Sequence, residues 1–386
     1  GSSLINLSIV LIDLYFLYAL YKNNDYKHLN NKYFYALIIF WLYLLLNLIF
    51  SIDFGASIPR SIGFIRFILF AFAISYFLNK KSEKVRIFIF NSWMIIFLFI
   101  STDLLFEYIF GYNFFGLESP MRGRLGGVMS PELKIGHFYS AFILICLVNF
   151  HNIFLNSKYS ENKNFFSTQI IFYILILVFI IISLLIGERS NFIKVFLMCV
   201  ILFFLIDKKN FYKKFIYLLL LITFIFSTIN AKPYFKHKFW FFLNPLASNP
   251  VETVLNSKYG SHYKVAVQVF QNNKYFGVGL RNYRLEVTKD KYYRDASIHP
   301  HQIHFEILAE LGLVGYLIFI SIFFFIIFNS IKLYILNKDK FLLCGILFIS
   351  ISLIPLLPSG SFFTTYGAAL FWFNFSFILP RKNKLS

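Results

Sequence analysis

The run TQIIFYILILVFIIISLLIG, residues 168–187, contains no charged side chain. A helix needs about 20 mostly apolar residues to cross the roughly 30 Å hydrocarbon core of a bilayer. Barrel strands in membranes instead alternate apolar and polar residues over about ten positions. Because this run is long and continuously apolar, it predicts a membrane-spanning helix.

The composition of the whole chain is typical of a membrane protein. Hydrophobic residues make up 58% of the 386 residues and charged residues only 14%, whereas soluble domains contain about 25% charged residues. We therefore predict an all-α fold, a polytopic integral membrane helix bundle that forms one domain over residues 1–386. Its eleven predicted spans are residues 4–21, 33–52, 59–78, 85–106, 137–155, 168–187, 192–206, 215–229, 312–328, 341–357 and 362–379.

The formal net charge of +19 would also fit a nucleic-acid-binding protein, but the distribution of the basic residues argues against that partner. They fall in alternate loops between the predicted spans, and the positive-inside rule places such loops in the cytoplasm. The basic segments are 22–32, 80–86, 158–163, 208–214, 332–340 and 381–384. The remaining loops are therefore predicted on the outer side, and no nucleic-acid partner is expected.

This topology places the first residue of the chain outside. The opening Gly1-Ser2-Ser3 has the composition of a cloning scar or a cut edge, which is to be set aside in fold reasoning. We expect at least one further helix upstream, which would make twelve spans. The alternative is a genuine outer N-terminus.

Residues 231–304 form a long polar stretch between predicted spans 8 and 9. We predict that this stretch is a large outer loop that contains short helices, one of them over 265–270. Its Gly277-Val278-Gly279 turn, followed by two arginines, is a weak signal for phosphate binding. The stretch ends at His299-Pro300-His301, which is expected to open the next helix because proline suits a first helical turn. In that helix His301 and Phe305 would share one face, as would Glu306 and Glu310.

The histidines of this motif have three possible roles. His299, His301 and His304 could hold a metal, although no cysteine or aspartate set completes such a site. They could instead be hydrogen-bonded structural residues at the membrane surface. A neutral imidazole could also act as a general base, because its unperturbed pKa of about 6.5 lets it accept a proton from a sugar hydroxyl near neutral pH.

Several arginines lie at the predicted outer ends of spans, where the positive-inside bias disfavours them. Arg189 either pairs with Glu188, contacts lipid phosphate, or supplies a guanidinium fork for a phosphate or pyrophosphate. Arg124 lies in a glycine-rich outer loop that a ligand could approach closely. Arg66 lies deeper in the third span and needs a partner, for which the candidates are Asp13, Asp103 and Glu107.

Four segments, taken in order, resemble the O-antigen ligase and O-antigen polymerase family. The most specific is the histidine motif, from His299 to Gly315. The others are the early outer-loop segment from Arg124 to Leu133, the arginine turn Glu188-Arg189-Ser190, and the loop from Ser261 to Leu280. The resemblance thus extends over most of the chain between residues 120 and 315.

This resemblance implies a metal-independent, inverting glycosyltransferase of the bacterial inner (cytoplasmic) membrane that uses no cofactor and acts on the periplasmic side. The donor would be glycan on undecaprenyl pyrophosphate, and the acceptor would be lipid A core or a second carrier-linked glycan. His301 matches the catalytic base and Arg189 the first pyrophosphate contact. Other candidate contacts with pyrophosphate or glycan are Arg124, His262, Lys264, Arg281, Arg284, His299 and Glu310. Many ligases carry an arginine at the position of His262. Either Arg281, Arg284 or Lys264 supplies that charge in this chain, or the chain belongs to a subgroup that has histidine at this position.

Other functions fit the sequence less well. A polymerase would use the same residues with a different acceptor pocket. A transporter or flippase for lipid-linked saccharides would usually show internal repeats and a site near the midplane, but here the polar residues gather at predicted outer loops. A structural partner in an envelope complex would place no geometric demand on the histidines and arginines.

Overall fold

The structure is a computed structural model that describes residues 2–155, 165–206, 211–231, 233–289 and 297–379. Apart from one isolated bridge between Tyr112 and Glu118, the regular structure of these residues is helical, which confirms the predicted all-α class. The α-helices are α1 Ser2–Lys22, α2 Lys32–Asn47, α3 Phe54–Gly63, α4 Ile65–Lys80, α5 Glu83–Phe110, α6 Ile135–Leu155, α7 Phe165–Leu185, α8 Arg189–Ile206, α9 Phe211–Ala231, α10 Pro233–Ser248, α11 Pro250–Leu255, α12 Lys258–Asn272, α13 Tyr283–Glu286, α14 Ile303–Asn337, α15 Lys340–Ser352 and α16 Thr365–Phe375.

Within the described ranges, eight helical segments are long and apolar enough to cross a membrane, and the apolar helices Ile170–Leu185 and Lys340–Ser352 are shorter. The multi-pass character of the chain is thus supported, whereas the count of eleven spans and the sidedness of the loops stay predictions. The predicted cytoplasmic segments 158–163 and 381–384, and residues 208–210 of the segment 208–214, lie outside the described residues. The eight segments are Ser2–Lys22, Lys32–Phe50, Phe54–Lys80, Glu83–Phe110, Ile135–Ile153, Arg189–Ile206, Phe211–Ala231 and Ile303–Asn337.

The chain folds into two compact units, which are described separately. Unit 1 contains Gly1–Lys80, Pro245–Lys338 and Ser352–Ser386. In it α1 packs on α4 and α16, α2 packs on α14, and α12 packs on α14. Its centre is an aromatic cluster in which Phe362 contacts Phe319 and Phe371 at ring-centroid distances of 5.4 and 5.0 Å. This cluster fixes the segment that precedes α16.

Unit 2 contains Lys81–Asn244 and Asp339–Ile351. Its central helix is α6, which packs on α5, α7 and α8. The loop that follows α5 folds back on that helix through two carboxylates. Asp103 accepts a hydrogen bond from the amide of Phe114 at 2.8 Å, and Glu107 accepts from the amide of Gly127 at 2.6 Å. Both carboxylates are therefore occupied by the backbone of their own loop.

The third predicted span, 59–78, lies within the apolar helical segment Phe54–Lys80, in which a single turn residue, Phe64, separates α3 from α4. Arg66 lies just after this turn, where its guanidinium donates to the carbonyl of Gly63 at 2.7 Å and interacts electrostatically with Asp13. Of the candidate partners for Arg66, the structure therefore selects Asp13.

Helix α14 is interrupted at Gly312, whose φ of 68° and ψ of −170° are not helical. The interruption frees backbone groups on both sides, and in a bilayer such groups must find other partners. The amides of Leu313 and Val314 donate to the carbonyls of Lys274 and Tyr275 at 2.8 and 3.1 Å. A segment of the polar stretch thus supplies acceptors for the amides released by the break.

The same segment also satisfies the carbonyls on the other side of the break. The amides of Val278 and Gly279 donate to the carbonyls of Ala309 and Glu310 at 3.0 and 2.8 Å. Four hydrogen bonds therefore join residues 274–279 to α14. They tie the polar stretch to a spanning helix without any side chain.

Glycine is required at this contact. Gly277 and Gly312 both have positive φ, and their backbones approach each other so closely that a Cβ on either would overlap the other segment. Gly277 packs against α14 and Gly279 against Ser51, so both glycines of the Gly-Val-Gly turn have a structural use. Phosphate binding at this turn stays a prediction.

The substitution Gly277→Ala tests this contact. We expect it to unfold unit 1 or to prevent accumulation of the protein, because the added Cβ would displace the backbone at Glu310. Gly116→Ala is the matched control: Gly116 also has positive φ, but no atom lies within 4 Å of its Cβ position. The control should cost only the backbone penalty of about 1–2 kcal/mol. Equal yield and thermal stability of the two purified variants would contradict this account.

Candidate active site

His301 lies before α14, in a backbone conformation that non-glycine residues seldom adopt. Its φ is 57°, and its carbonyl accepts a hydrogen bond from the amide of Ser359 at 2.7 Å. Helix α14 begins at Ile303, with the side chain of Gln302 as its N-cap. The prediction that the helix opens at residues 299–301 was therefore wrong, and so was the shared helical face of His301 and Phe305. A left-handed backbone of this kind is a feature of functional sites, where surrounding contacts hold it in place.

The imidazole of His301 lies against a hydroxyl group. Its Nε2 is 3.1 Å from Oγ of Ser297, and the same Oγ accepts a hydrogen bond from the amide of His299 at 3.3 Å. A serine hydroxyl can accept one hydrogen bond and donate another, so Ser297 can donate its hydrogen to Nε2 in the tautomer of His301 that carries its proton on Nδ1. An imidazole held in this way presents a lone pair to an alcohol, which is the arrangement that a general base needs.

Two further histidines surround His301. Its ring centroid is 4.8 Å from that of His299 and 5.3 Å from that of His262. His262 is buried, and its Nδ1 accepts a hydrogen bond from the amide of Ser297 at 3.1 Å. Sequence reasoning placed all three histidines in the site, but it missed Ser297, whose amide and hydroxyl connect them.

The metal hypothesis loses one of its three candidate ligands. Nε2 of His304 lies 2.8 Å from the carbonyl of Leu353, and its Nδ1 lies 3.2 Å from the hydroxyl of Tyr316. Both ring nitrogens thus serve the packing of α14. In the described parts of the chain, no group of three or more His, Cys, Asp or Glu side chains is arranged to hold a metal ion.

Glu306 connects the histidine motif to the segment before α16. Its carboxylate accepts hydrogen bonds from the hydroxyl of Ser361 and from the amide of Phe362, the latter at 2.8 Å. One of its oxygens also lies 3.8 Å from Nδ1 of His299. As the sequence predicted, Glu306 and Glu310 share one buried face of α14.

His299 lies mostly inside this arrangement. Burial lowers the pKa of His299 to about 4, so its ring is neutral at physiological pH. A neutral His299 adds no positive charge beside His301, and the neighbouring imidazole can therefore accept a proton without repulsion from it.

A pH titration of stability tests the burial of His299. The pKa of His299 is about 6.5 in the unfolded chain and about 4 in the folded chain. Burial of the neutral ring therefore contributes fully to the free energy of unfolding above pH 6.5, and this contribution is lost as the pH falls towards 4. Linkage gives a loss of about 2 kcal/mol between pH 7 and pH 5. In detergent, the thermal midpoint of the wild type should therefore fall over this range. His299→Asn should show a smaller fall, and parallel curves for the two proteins would contradict the assignment.

Three guanidinium groups lie near the carboxylates of α14. Arg60, on α3, donates to the carbonyl of Phe363 and interacts electrostatically with Glu306 and Glu310. Arg281 and Arg284 are exposed and lie within electrostatic range of Arg60. The sequence singled out Arg281 and Arg284 as candidate contacts, but it did not single out Arg60. Its place in this cluster depends on contacts with residues about 250 and 300 positions away.

Glu310 belongs to the same cluster. Its carboxylate faces the backbone amides of Arg281 and Tyr283, so it holds the turn that carries the exposed arginines. The remaining predicted residue of unit 1, Lys264, lies exposed on α12, two positions after buried His262.

The other two predicted site residues belong to unit 2. Arg124 forms an ion pair with Glu188, which also accepts a hydrogen bond from Asn191. Arg189 is the first residue of α8 and is half-buried. Glu188, one of the partners considered for Arg189, is therefore engaged by Arg124. Common action of Arg189 and His301 on one substrate stays a prediction.

Backbone contacts join the early outer-loop segment and the arginine turn within unit 2. The amide of Leu125 donates to the carbonyl of Ile186 at 3.1 Å. Gly187 has a φ of 80° and lies against the backbone of Gly123, where a Cβ would overlap. Two of the four segments that carry the family resemblance thus form one structural element.

Comparison with protein families adds to this geometry. A family model described as O-antigen ligase matches residues 172–320. This region is therefore similar to the O-antigen ligase family. It contains the arginine turn, the polar stretch and the histidine motif, which confirms the resemblance for these segments; the segment from Arg124 to Leu133 lies before it. No curated protein matches the chain. The O-antigen ligase match supports a membrane protein of the ligase or polymerase type.

Proposed function

We propose that this protein is a glycosyltransferase of the O-antigen ligase type, with His301 as its general base. It moves glycan from undecaprenyl pyrophosphate to a sugar hydroxyl of lipid A core, at the periplasmic face of the inner membrane and without a metal. The observation that carries the proposal is the placement of the His301 imidazole on a hydroxyl group, inside the region that matches the family.

The proposed reaction is a single displacement. The acceptor hydroxyl takes the position next to Nε2 of His301 that Ser297 Oγ occupies, 3.1 Å away. Its proton passes to Nε2 while its oxygen attacks the anomeric carbon. The bond between that carbon and the pyrophosphate oxygen breaks, and the electron pair leaves with the carrier. One displacement inverts the configuration, and the imidazolium then returns the proton to solvent.

The leaving pyrophosphate carries negative charge that has to be stabilised. Arg281 and Arg284 are exposed and adjacent to the α14 carboxylate cluster, so they are the candidates in unit 1. Arg189, suggested by the family resemblance, is the candidate in unit 2. Guanidinium groups suit this role, since their planar fork binds phosphate oxygens in pairs.

A transfer assay with His301→Asn tests the role of His301. Asparagine tolerates a left-handed backbone better than most residues, so the loop should keep its shape while the imidazole is lost. General-base catalysis contributes about 100-fold to 10,000-fold, and transfer from carrier-linked glycan should fall by a factor in that range. His28→Asn, which removes a half-buried histidine between α1 and α2, should retain wild-type turnover.

The same assay separates the ligase from the polymerase. One reaction offers lipid A core as acceptor and the other a second carrier-linked unit. We expect product with lipid A core, whereas product only with the carrier-linked unit would assign a polymerase. Wild-type transfer by folded His301→Asn, with unchanged thermal stability, would refute the general-base role.

A further inference from the structure

Unit 2 contains a cavity of about 360 Å³ at the C-terminal end of α5, beside the loop that follows this helix. This volume falls within the range of about 300–1,000 Å³ that is usual for ligand pockets. Polar side chains make up much of the lining: Glu107, Tyr108, Glu118, Ser119, Arg122 and Arg124. The catalytic proposal for unit 1 leaves this cavity without a role.

The walls of the cavity are fixed by hydrogen bonds within the loop. The side chain of Asn113 donates to the carbonyl of Gly127 at 2.6 Å and accepts from the amides of Phe115 and Leu117. The hydroxyl of Ser130 donates to the carbonyl of Glu118 at 2.7 Å. A cavity built in this way exists before a ligand arrives, so binding does not require the loop to be ordered.

The charges around the cavity indicate what it can bind. Arg124 is neutralised by Glu188, which leaves Arg122 as the positive group and Glu107 and Glu118 as the negative groups of the lining. Two carboxylates against one exposed guanidinium disfavour a pyrophosphate, which carries several negative charges. The set instead suits uncharged hydroxyl groups, which can donate to the exposed carboxylate of Glu118 and accept from the guanidinium of Arg122.

We propose that this cavity is a binding site for a neutral segment of saccharide, separate from the contacts that hold pyrophosphate. The inference rests on the proposed function, because a glycosyltransferase is what brings a glycan to this protein. It changes the role predicted for Arg124: paired with Glu188, this residue shapes the wall of a sugar site. The occupant is one or two sugar units of the glycan or of its acceptor.

Cysteine labelling tests the site in the intact chain. The three native cysteines, at 146, 199 and 344, are buried, so Ser119→Cys introduces one accessible thiol into the lining. The labelling rate with a fluorescent maleimide is measured in detergent, with oligosaccharide freed from its carrier pyrophosphate by mild acid. A parallel arm uses inorganic pyrophosphate. Ser82→Cys is the matched control, because Ser82 is exposed and lies at the opposite end of α5.

The oligosaccharide should slow labelling of Ser119→Cys about tenfold at about nine times its Kd, while Ser82→Cys should label at an unchanged rate. Adding Arg122→Gln should raise the oligosaccharide concentration needed for this protection about tenfold, since the substitution removes a charged hydrogen-bond donor. Protection by pyrophosphate alone, or by neither compound, would overturn the proposal. This outcome is independent of the transfer assay with His301→Asn. If the oligosaccharide gives no protection but transfer still requires His301, only the sugar site is refuted. If the oligosaccharide protects but His301→Asn transfers glycan at the wild-type rate, only the general-base role is refuted.

Discussion

The exchange of backbone hydrogen bonds at Gly312 is the constraint on which unit 1 depends. A membrane-spanning helix cannot be broken in hydrocarbon unless the freed amides and carbonyls find partners. Here residues 274–279 accept two hydrogen bonds from α14 and donate two to it. Because each segment supplies hydrogen-bond partners for the backbone groups of the other, the polar stretch and the interrupted helix α14 are stable only together. The absence of side chains at Gly277 and Gly312 makes this approach possible.

The candidate active site is built outward from that contact. Glu310, just before the break, faces the backbone of the turn that carries Arg281. One helical turn earlier, Glu306 accepts hydrogen bonds from the segment before α16, and this segment in turn holds the carbonyl of His301 through the amide of Ser359. The left-handed backbone of His301 is therefore held by a hydrogen bond from a distant part of the chain. A flexible loop would not keep the imidazole on the Ser297 hydroxyl.

The sequence predicted the parts of the fold that follow from local patterns. Long apolar runs indicated helices, and the spacing of Glu306 and Glu310 placed both on one face of α14. His301, His299 and His262 were recognised from the family resemblance, and the structure brings their rings together. The single turn residue Phe64 between α3 and α4 was not predicted, because the apolar pattern continues through it.

Other features were missed because they depend on long-range hydrogen bonds. Ser297 became part of the site through contacts with His262 and His301, and a serine in a polar stretch gives no signal of that. Arg60 joins the site only through its hydrogen bond to the carbonyl of Phe363 and its electrostatic interaction with Glu306 and Glu310. At the Gly277-Val278-Gly279 turn, local sequence cannot distinguish close packing against a ligand from close packing against another segment of the protein.

The central claim is that the imidazole of His301 accepts the proton of the acceptor hydroxyl. The pH dependence of kcat/KM for glycan transfer by the purified protein tests it most directly, because an unperturbed histidine titrates between about pH 5 and 8. The account predicts that transfer falls tenfold for each unit of pH below the pKa of one group in this range. It also predicts that the residual activity of His301→Asn lacks this dependence. A profile that is flat across the range, or the same acid limb in both proteins, would contradict it.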